Sequence, residues 1–123
     1  MTPSTEQVQR LMEIGLVAAG NGYTTDAETI FAGIQAVRPD SELPVIGQAF
    51  VKMNSGQLQD SIHLLRKALE CNPDSDLALS FLGAALKFSG HNHAAEDAFS
   101  QVAEAGLTTE AVEMAKALAQ NPV

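Results

Sequence analysis

The stretch that decides the fold is residues 42–73, ELPVIGQAFVKMNSGQLQDSIHLLRKALECNP. Its glycine, Gly56, lies 34 residues after Gly22 and 34 residues before Gly90. Small residues follow the three glycines by five positions and large apolar residues follow them by nine: Ala27, Ser61 and Ala95, then Phe31, Leu65 and Phe99. A period of this length fits one helix–turn–helix unit, so three copies in register predict an all-α stack of helix hairpins.

The 34-residue frame divides the chain into repeats 8–41, 42–75 and 76–109 within a single domain that spans residues 1–123. Apolar periodicity predicts helices over about 4–20, 26–37, 42–54, 58–71, 76–89, 93–105 and 110–120. Pro39 and Pro73 cannot continue a helix and therefore mark the ends of the second and fourth. The last helix is amphipathic and is expected to cap the open end of the stack.

Local signals support these boundaries. Ser4 with Gln7, and Thr25 with Glu28, have the spacing of a capping box, in which each side chain satisfies a free backbone N–H of the other. The repeating glycines can take positive φ, which helix C-termini commonly use. We therefore expect side-chain caps at the first two helices and a glycine turn inside each hairpin.

The repeated columns resemble the tetratricopeptide repeat, or TPR. The matching residues are Leu11, Ile14, Gly15, Gly22, Ala27, Phe31 and Pro39, then Val45, Ala49, Gly56, Ser61, Leu65, Ala68 and Pro73, then Leu79, Leu82, Gly83, Gly90, Ala95 and Phe99. The pattern departs from the family at Gln48 and Ala49, which stand where Leu-Gly is usual, and no repeat has Trp at its fourth position. The resemblance implies a right-handed TPR α-solenoid of three repeats plus a C-terminal capping helix. In it, small residues at positions 8 and 20 let helices approach, and large residues at positions 4, 7 and 24 fill the gaps beside them.

A TPR fold also implies that the first helix of each repeat lines a concave groove. The positions carried over from the family are mostly apolar, and the groove residues they predict are Met12, Leu16, Ala19, Leu43, Ile46, Phe50, Met53, Leu77, Ala84 and Phe88. In helix 42–54 they form a second apolar stripe, which is expected to be exposed and to bind an amphipathic helix, with Phe50 as the central anchor. Two alternatives remain: the C-terminal helix covers this stripe, or a second copy covers it in a homodimer.

Composition argues against several other classes of function. Fifteen acidic residues against seven basic ones give a net charge of −8, and the scattered basic residues predict no nucleic-acid partner. No apolar run approaches the roughly 18 residues of a membrane span. The N-terminus lacks the order of a signal peptide, so a cytoplasmic location is expected.

Nothing in the chain matches a catalytic motif, so we expect a non-enzyme without a cofactor or metal. His91 and His93 flank one residue at a turn, and a solvated turn is favoured over a metal site. His63 is expected to be exposed. The single Cys71 excludes an internal disulfide and is expected to be a buried structural thiol.

Residues 13–22, EIGLVAAGNG, followed by 26–30, DAETI, look like the opening of the TPR-type needle-subunit chaperones of bacterial type III secretion. That resemblance implies burial of the needle subunit's amphipathic C-terminal helix in the groove, which prevents premature polymerisation, and a small helical co-chaperone. Two alternatives stay open. One is a chaperone of translocator proteins, which commonly carries a longer N-terminal extension. The other is a scaffold joining two folded proteins, for which a more charged groove is expected.

Overall fold

The structure, a computed structural model, describes residues 3–105. These residues form six α-helices: α1 Thr5–Gly20, α2 Thr24–Val37, α3 Leu43–Asn54, α4 Leu58–Cys71, α5 Asp76–Phe88 and α6 Asn92–Ala105. Between residues 3 and 105 there is no strand, and none of the helices there has the length and apolar character needed to cross a membrane. The first six predicted helices are confirmed to within about two residues at each end, the usual scatter of helix boundaries. The predicted capping helix at about 110–120 lies outside the described residues.

One of the two predicted capping boxes is present. At α1, Ser4 Oγ accepts a hydrogen bond from the Gln7 N–H at 3.1 Å, and Gln7 Oε1 accepts one from the Ser4 N–H at 2.8 Å. The second prediction is wrong, because α2 begins at Thr24 and no side chain caps it. The Tyr23 N–H instead donates back to the Ala18 carbonyl at 2.9 Å. This backbone bond closes the turn and leaves Thr25 already inside the helix.

The turns within the hairpins confirm the role predicted for the repeating glycines. Gly22, Gly56 and Gly90 have φ of +86°, +80° and +88°, and no other residue of the described chain has positive φ. In each turn the N–H after the glycine donates to a carbonyl five residues back, at 2.9 Å in all three. This is the Schellman geometry that ends a helix, and glycine adopts it without Cβ strain.

The helices pack as three hairpins, α1–α2, α3–α4 and α5–α6, each with a short turn. The even-numbered helix of one hairpin packs on the odd-numbered helix of the next, through α2–α3 and α4–α5. The odd-numbered helices also contact one another in a row, through α1–α3 and α3–α5. Helix α3 therefore contacts four neighbours and is the centre of the described chain.

Close helix contacts occur where the repeat pattern places small residues. A Cβ added to Gly15 would lie 2.5 Å from Cε1 of Phe31, and one added to Gly83 would lie 2.8 Å from Cε1 of Phe99. Both distances are too short for a real Cβ, so only glycine lets these phenyl rings lie against the neighbouring helix. The prediction that small residues at position 8 accommodate large ones at position 24 is confirmed in the first and third repeats.

Candidate partner-binding surfaces

The predicted groove residues are less accessible than the sequence indicated. Six of them are buried: Met12, Ala19, Ile46, Phe50, Met53 and Ala84. The other four are half-buried and pack against the same core: Leu16, Leu43, Leu77 and Phe88. The expectation of an open apolar strip is therefore wrong for the first six. A role for all ten in partner binding stays a prediction.

Phe50 shows why that expectation failed. Its side chain is only 3% exposed, and its ring lies edge-on to Phe81 of α5 with centroids 5.5 Å apart. Because α3 contacts α1, α2, α4 and α5, both of its apolar stripes face other helices. A helix with apolar residues on more than one face packs against several neighbours, so the second stripe of α3 is needed for packing.

Helix α5 is enclosed in the same manner. Every residue from Ser80 to Leu86 is buried, a run of almost two turns that covers all faces of the helix. The hydroxyl of the buried Ser80 has a hydrogen-bond partner, because it donates to the Asp76 carbonyl oxygen at 2.8 Å. The half-buried apolar side chains of α5 therefore lie outside this run, at Leu77, Leu79 and Phe88.

The outer face of α1 carries the apolar surface that the sequence did not predict. Leu11, Ile14 and Val17 are 38%, 56% and 63% exposed and follow one another at three-residue spacing, so they share one side of the helix. We name this set the α1 stripe. Leu11 and Ile14 were expected to fill gaps in the fold, and that expectation is wrong. No helix precedes α1 in the described chain to cover these positions.

Polar groups border the α1 stripe at its N-terminal end. The Arg10 guanidinium donates to Glu6 Oε1 at 2.8 Å, in a solvent-exposed ion pair between residues four positions apart on α1. Two members of the stripe, Leu11 and Ile14, line a shallow depression together with Pro3, Gln7 and Arg10. The Arg38 guanidinium donates to the Pro3 carbonyl at 2.8 Å and so ties the start of the chain to the end of α2. The stripe is thus an apolar surface with a defined polar edge.

The groups with potential for chemistry are dispersed. Cys71 is exposed, so the prediction of a buried thiol is wrong. It occupies the last position of α4, and Val37, at the matching end of α2, is likewise exposed, at 42%. His63, His91 and His93 are exposed as predicted. Between residues 3 and 105, no three His, Cys, Asp or Glu side chains come together as a metal site would require.

These features define a class of protein: an all-helical stack of hairpins that exposes apolar side chains on the outer face of α1. The chain belongs to the family described as "Bacterial type III secretion protein (HrpB1_HrpK)", whose sequence profile matches residues 1–121. No curated protein and no solved structure matches it significantly. The predicted relation to type III secretion is confirmed. The TPR superhelix, the chaperone role and the needle-subunit partner stay predictions.

Proposed function

We propose that this type III secretion protein is a TPR-type chaperone of the needle subunit. It holds the subunit's amphipathic C-terminal helix in the cytoplasm and prevents premature polymerisation, with a small helical co-chaperone as second partner. Membership of the secretion family supports the system. Three hairpins on a 34-residue period, with glycine turns at matching places, support the repeat architecture. The role is one of binding and requires neither catalysis nor a cofactor.

The observation that carries this proposal is the row of odd-numbered helices. Helices α1, α3 and α5 contact one another in sequence. They carry the four half-buried groove residues, Leu16, Leu43, Leu77 and Phe88, whose side chains lie partly in solvent. A partner helix laid along this row covers them without disturbing Phe50 and the other buried members. We therefore place the binding energy on these four residues.

The size of this contact fits a transient chaperone. Covering a few hundred Å² of apolar surface contributes several kcal/mol at about 25 cal/mol per Å². Association costs remove a large part of that gain. The needle helix is thus held strongly enough to be masked and weakly enough to be released for export.

The test is co-expression of the tagged chain with the needle subunit and with translocator proteins of the same secretion system. The wild-type chain is expected to co-purify the needle subunit. Leu16→Lys and Phe88→Lys, which place an ammonium group in the contact, are expected to reduce that yield about tenfold or more. Val37→Lys is the matched control, since it changes an exposed apolar side chain at the end of α2.

Thermal melts by circular dichroism test whether each variant is folded. A variant is compared with the wild type only if its helical signal and melting midpoint match those of the control. Co-purification of a translocator alone contradicts the proposal, as does needle capture that both lysine variants retain. Recovery of the complex outside the cytoplasmic fraction of secreting cells contradicts the proposed location.

A further inference from the structure

Equivalent positions on the first helices of the three hairpins differ sharply in solvent exposure. Val17 on α1 is 63% exposed, whereas its equivalents Val51 on α3 and Ala85 on α5 are 3% and 0% exposed. Ile14 and Leu82 show the same contrast, at 56% and 8%. Ile14 and Val17 therefore occupy positions whose α5 equivalents, Leu82 and Ala85, are buried. The equivalents of Leu11, which are Val45 and Leu79, are half-buried.

In the other two hairpins, the first helix packs against the second helix of the preceding hairpin. Helix α2 packs on α3, and α4 packs on α5. The contact includes a hydrogen bond of 3.2 Å from Gln48 Nε2 to Gln35 Oε1, and Gln48 is the equivalent of Ile14. The Phe31 ring of α2 also lies against Gly47 of α3. These contacts place α2 beside the α3 equivalent of Ile14, and α4 packs on α5 in the same order along the chain.

We propose that the α1 stripe is a docking surface for an amphipathic helix of another protein, which packs on α1 as α4 packs on α5. This surface is separate from the groove residues named under the proposed function. The protein then has two helix-binding faces, one along the odd-numbered helices and one on the outer face of α1.

The chemistry of the stripe specifies the partner helix. Leu11, Ile14 and Val17 correspond to Leu79, Leu82 and Ala85 of α5, a similar apolar set on a helix against which α4 packs. A matching helix therefore carries leucine or isoleucine at three- and four-residue spacing, as α4 does at Ile62, Leu65 and Leu69.

Charge distinguishes a foreign helix from a second copy. The chain has a net charge of −8, and the charged residues of α1 near the stripe are two carboxylates, Glu6 and Glu13, and one guanidinium, Arg10. Two copies repel each other through this net charge, whereas a helix with basic residues beside its apolar stripe is attracted. The occupant we infer is accordingly a basic amphipathic helix.

The test uses a fluorescent peptide with the α4 sequence, residues 57–72, QLQDSIHLLRKALECN, in which Cys71→Ser prevents oxidation and Asp60→Asn and Glu70→Gln make the peptide basic. This peptide has the inferred apolar spacing and an adjacent Arg-Lys pair. The full wild-type chain is expected to bind it, measured by anisotropy, and a scrambled peptide of the same composition is expected to bind at least about tenfold more weakly. Ile14→Lys is expected to lose at least about tenfold in affinity, and Val37→Lys to bind as wild type.

Phe88→Lys separates this inference from the proposed function. It alters the groove and is expected to leave peptide affinity unchanged, whatever its effect on needle capture. Equal binding by Ile14→Lys, or equal binding of the scrambled peptide, overturns the inference. A wild-type dimer in sedimentation velocity that Ile14→Lys converts to monomer identifies a second copy as the occupant and also overturns it.

Discussion

Phe31 is the residue whose surroundings best show how this sequence controls packing. Its buried ring lies between α1 and α3, and a Cβ on either Gly15 or Gly47 would come within 2.5 Å of ring carbons. The second repeat has Leu65 and Ala49 at the positions that hold Phe31 and Gly15 in the first. A smaller side chain on one helix thus accompanies a larger one on the other, and the total volume is conserved.

The compensation between these two positions predicts that the effects of substitutions at Gly15 and Phe31 on stability are not additive. Gly15→Ala is expected to lower the free energy of unfolding by about 1–2 kcal/mol, because the steric cost against Phe31 exceeds the gain in helix propensity. Adding Phe31→Leu recreates the pair of the second repeat. The double variant is expected to be more stable than the sum of the single effects predicts, by about 0.5–3 kcal/mol, in urea denaturation.

Gly33 provides the control for that prediction. It lies in α2 with open space where a Cβ would stand, so Gly33→Ala is expected to stabilise the protein by about 0.5–1 kcal/mol. Strict additivity of Gly15→Ala and Phe31→Leu contradicts the proposed contact. So does a stabilising effect of Gly15→Ala equal to that of Gly33→Ala.

At the scale of the helices, sequence signals located the elements better than their caps. Ser4 and Ser75 cap α1 and α5 through their hydroxyl oxygens, but Thr25 does not cap α2. The reason is that the Asn21–Tyr23 turn is closed by backbone bonds, so α2 begins earlier than its side chains indicate. A cap motif has an effect only where the backbone leaves that position outside the helix.

The caps yield a second prediction. Ser75 is buried, and its Oγ accepts from the Ala78 N–H at 3.1 Å, so Ser75→Ala leaves a donor at the start of α5 unpaired. We expect a loss of about 1–2 kcal/mol in the free energy of unfolding. Thr25→Ala, which removes a residue that was predicted to cap and does not, is expected to change stability by less than about 0.5 kcal/mol.

If Ser75→Ala and Thr25→Ala lower the melting midpoint equally, the assignment of Ser75 as a stabilising cap of α5 is contradicted. A large loss from Thr25→Ala alone shows instead that the hydroxyl of Thr25 stabilises the start of α2.

At the scale of the whole molecule, α3 connects the other helices. It contacts α1, α2, α4 and α5, so a defect in α3 affects all of its neighbours at once. Phe50, at the contact between α3 and α5, is the side chain with which this can be tested.

Phe50→Asp is expected to unfold the described helices rather than only abolish partner capture. Removing a buried phenyl ring costs about 3–5 kcal/mol, and an unpaired buried carboxylate adds to this. A chain of this size has about 5–15 kcal/mol of stability in total. Circular dichroism at 222 nm is expected to lose most of its helical signal. Ile14→Asp, at an exposed position, is expected to keep the signal.

A folded Phe50→Asp variant with a wild-type melting midpoint contradicts the placement of Phe50 in the core. In that case the ring is accessible, and the original assignment of Phe50 as the groove anchor is restored.

The fold of residues 3–105 was largely predictable, and the binding surface was not. Helix positions follow from apolar periodicity and from glycine and proline, which act over a few residues. Ile14 and Phe50 are both large apolar residues on an odd-numbered helix, and local pattern does not distinguish them. One is 56% exposed and the other 3%, because α1 is the first helix of the described chain and α3 is enclosed by four others.

The sequence by itself determined the 34-residue period, the helices, the glycine turns and the relation to type III secretion, since these depend on residue types at short and regular spacing. Only the tertiary structure decided which apolar stripe is core and which is surface. Burial depends on how many neighbours a helix has, and that number depends on the place of the helix in the stack. Residues at the same repeat position lie on different helices and therefore differ in burial. For this reason the stripe predicted at Phe50 became core, while Leu11, Ile14 and Val17 became the exposed face.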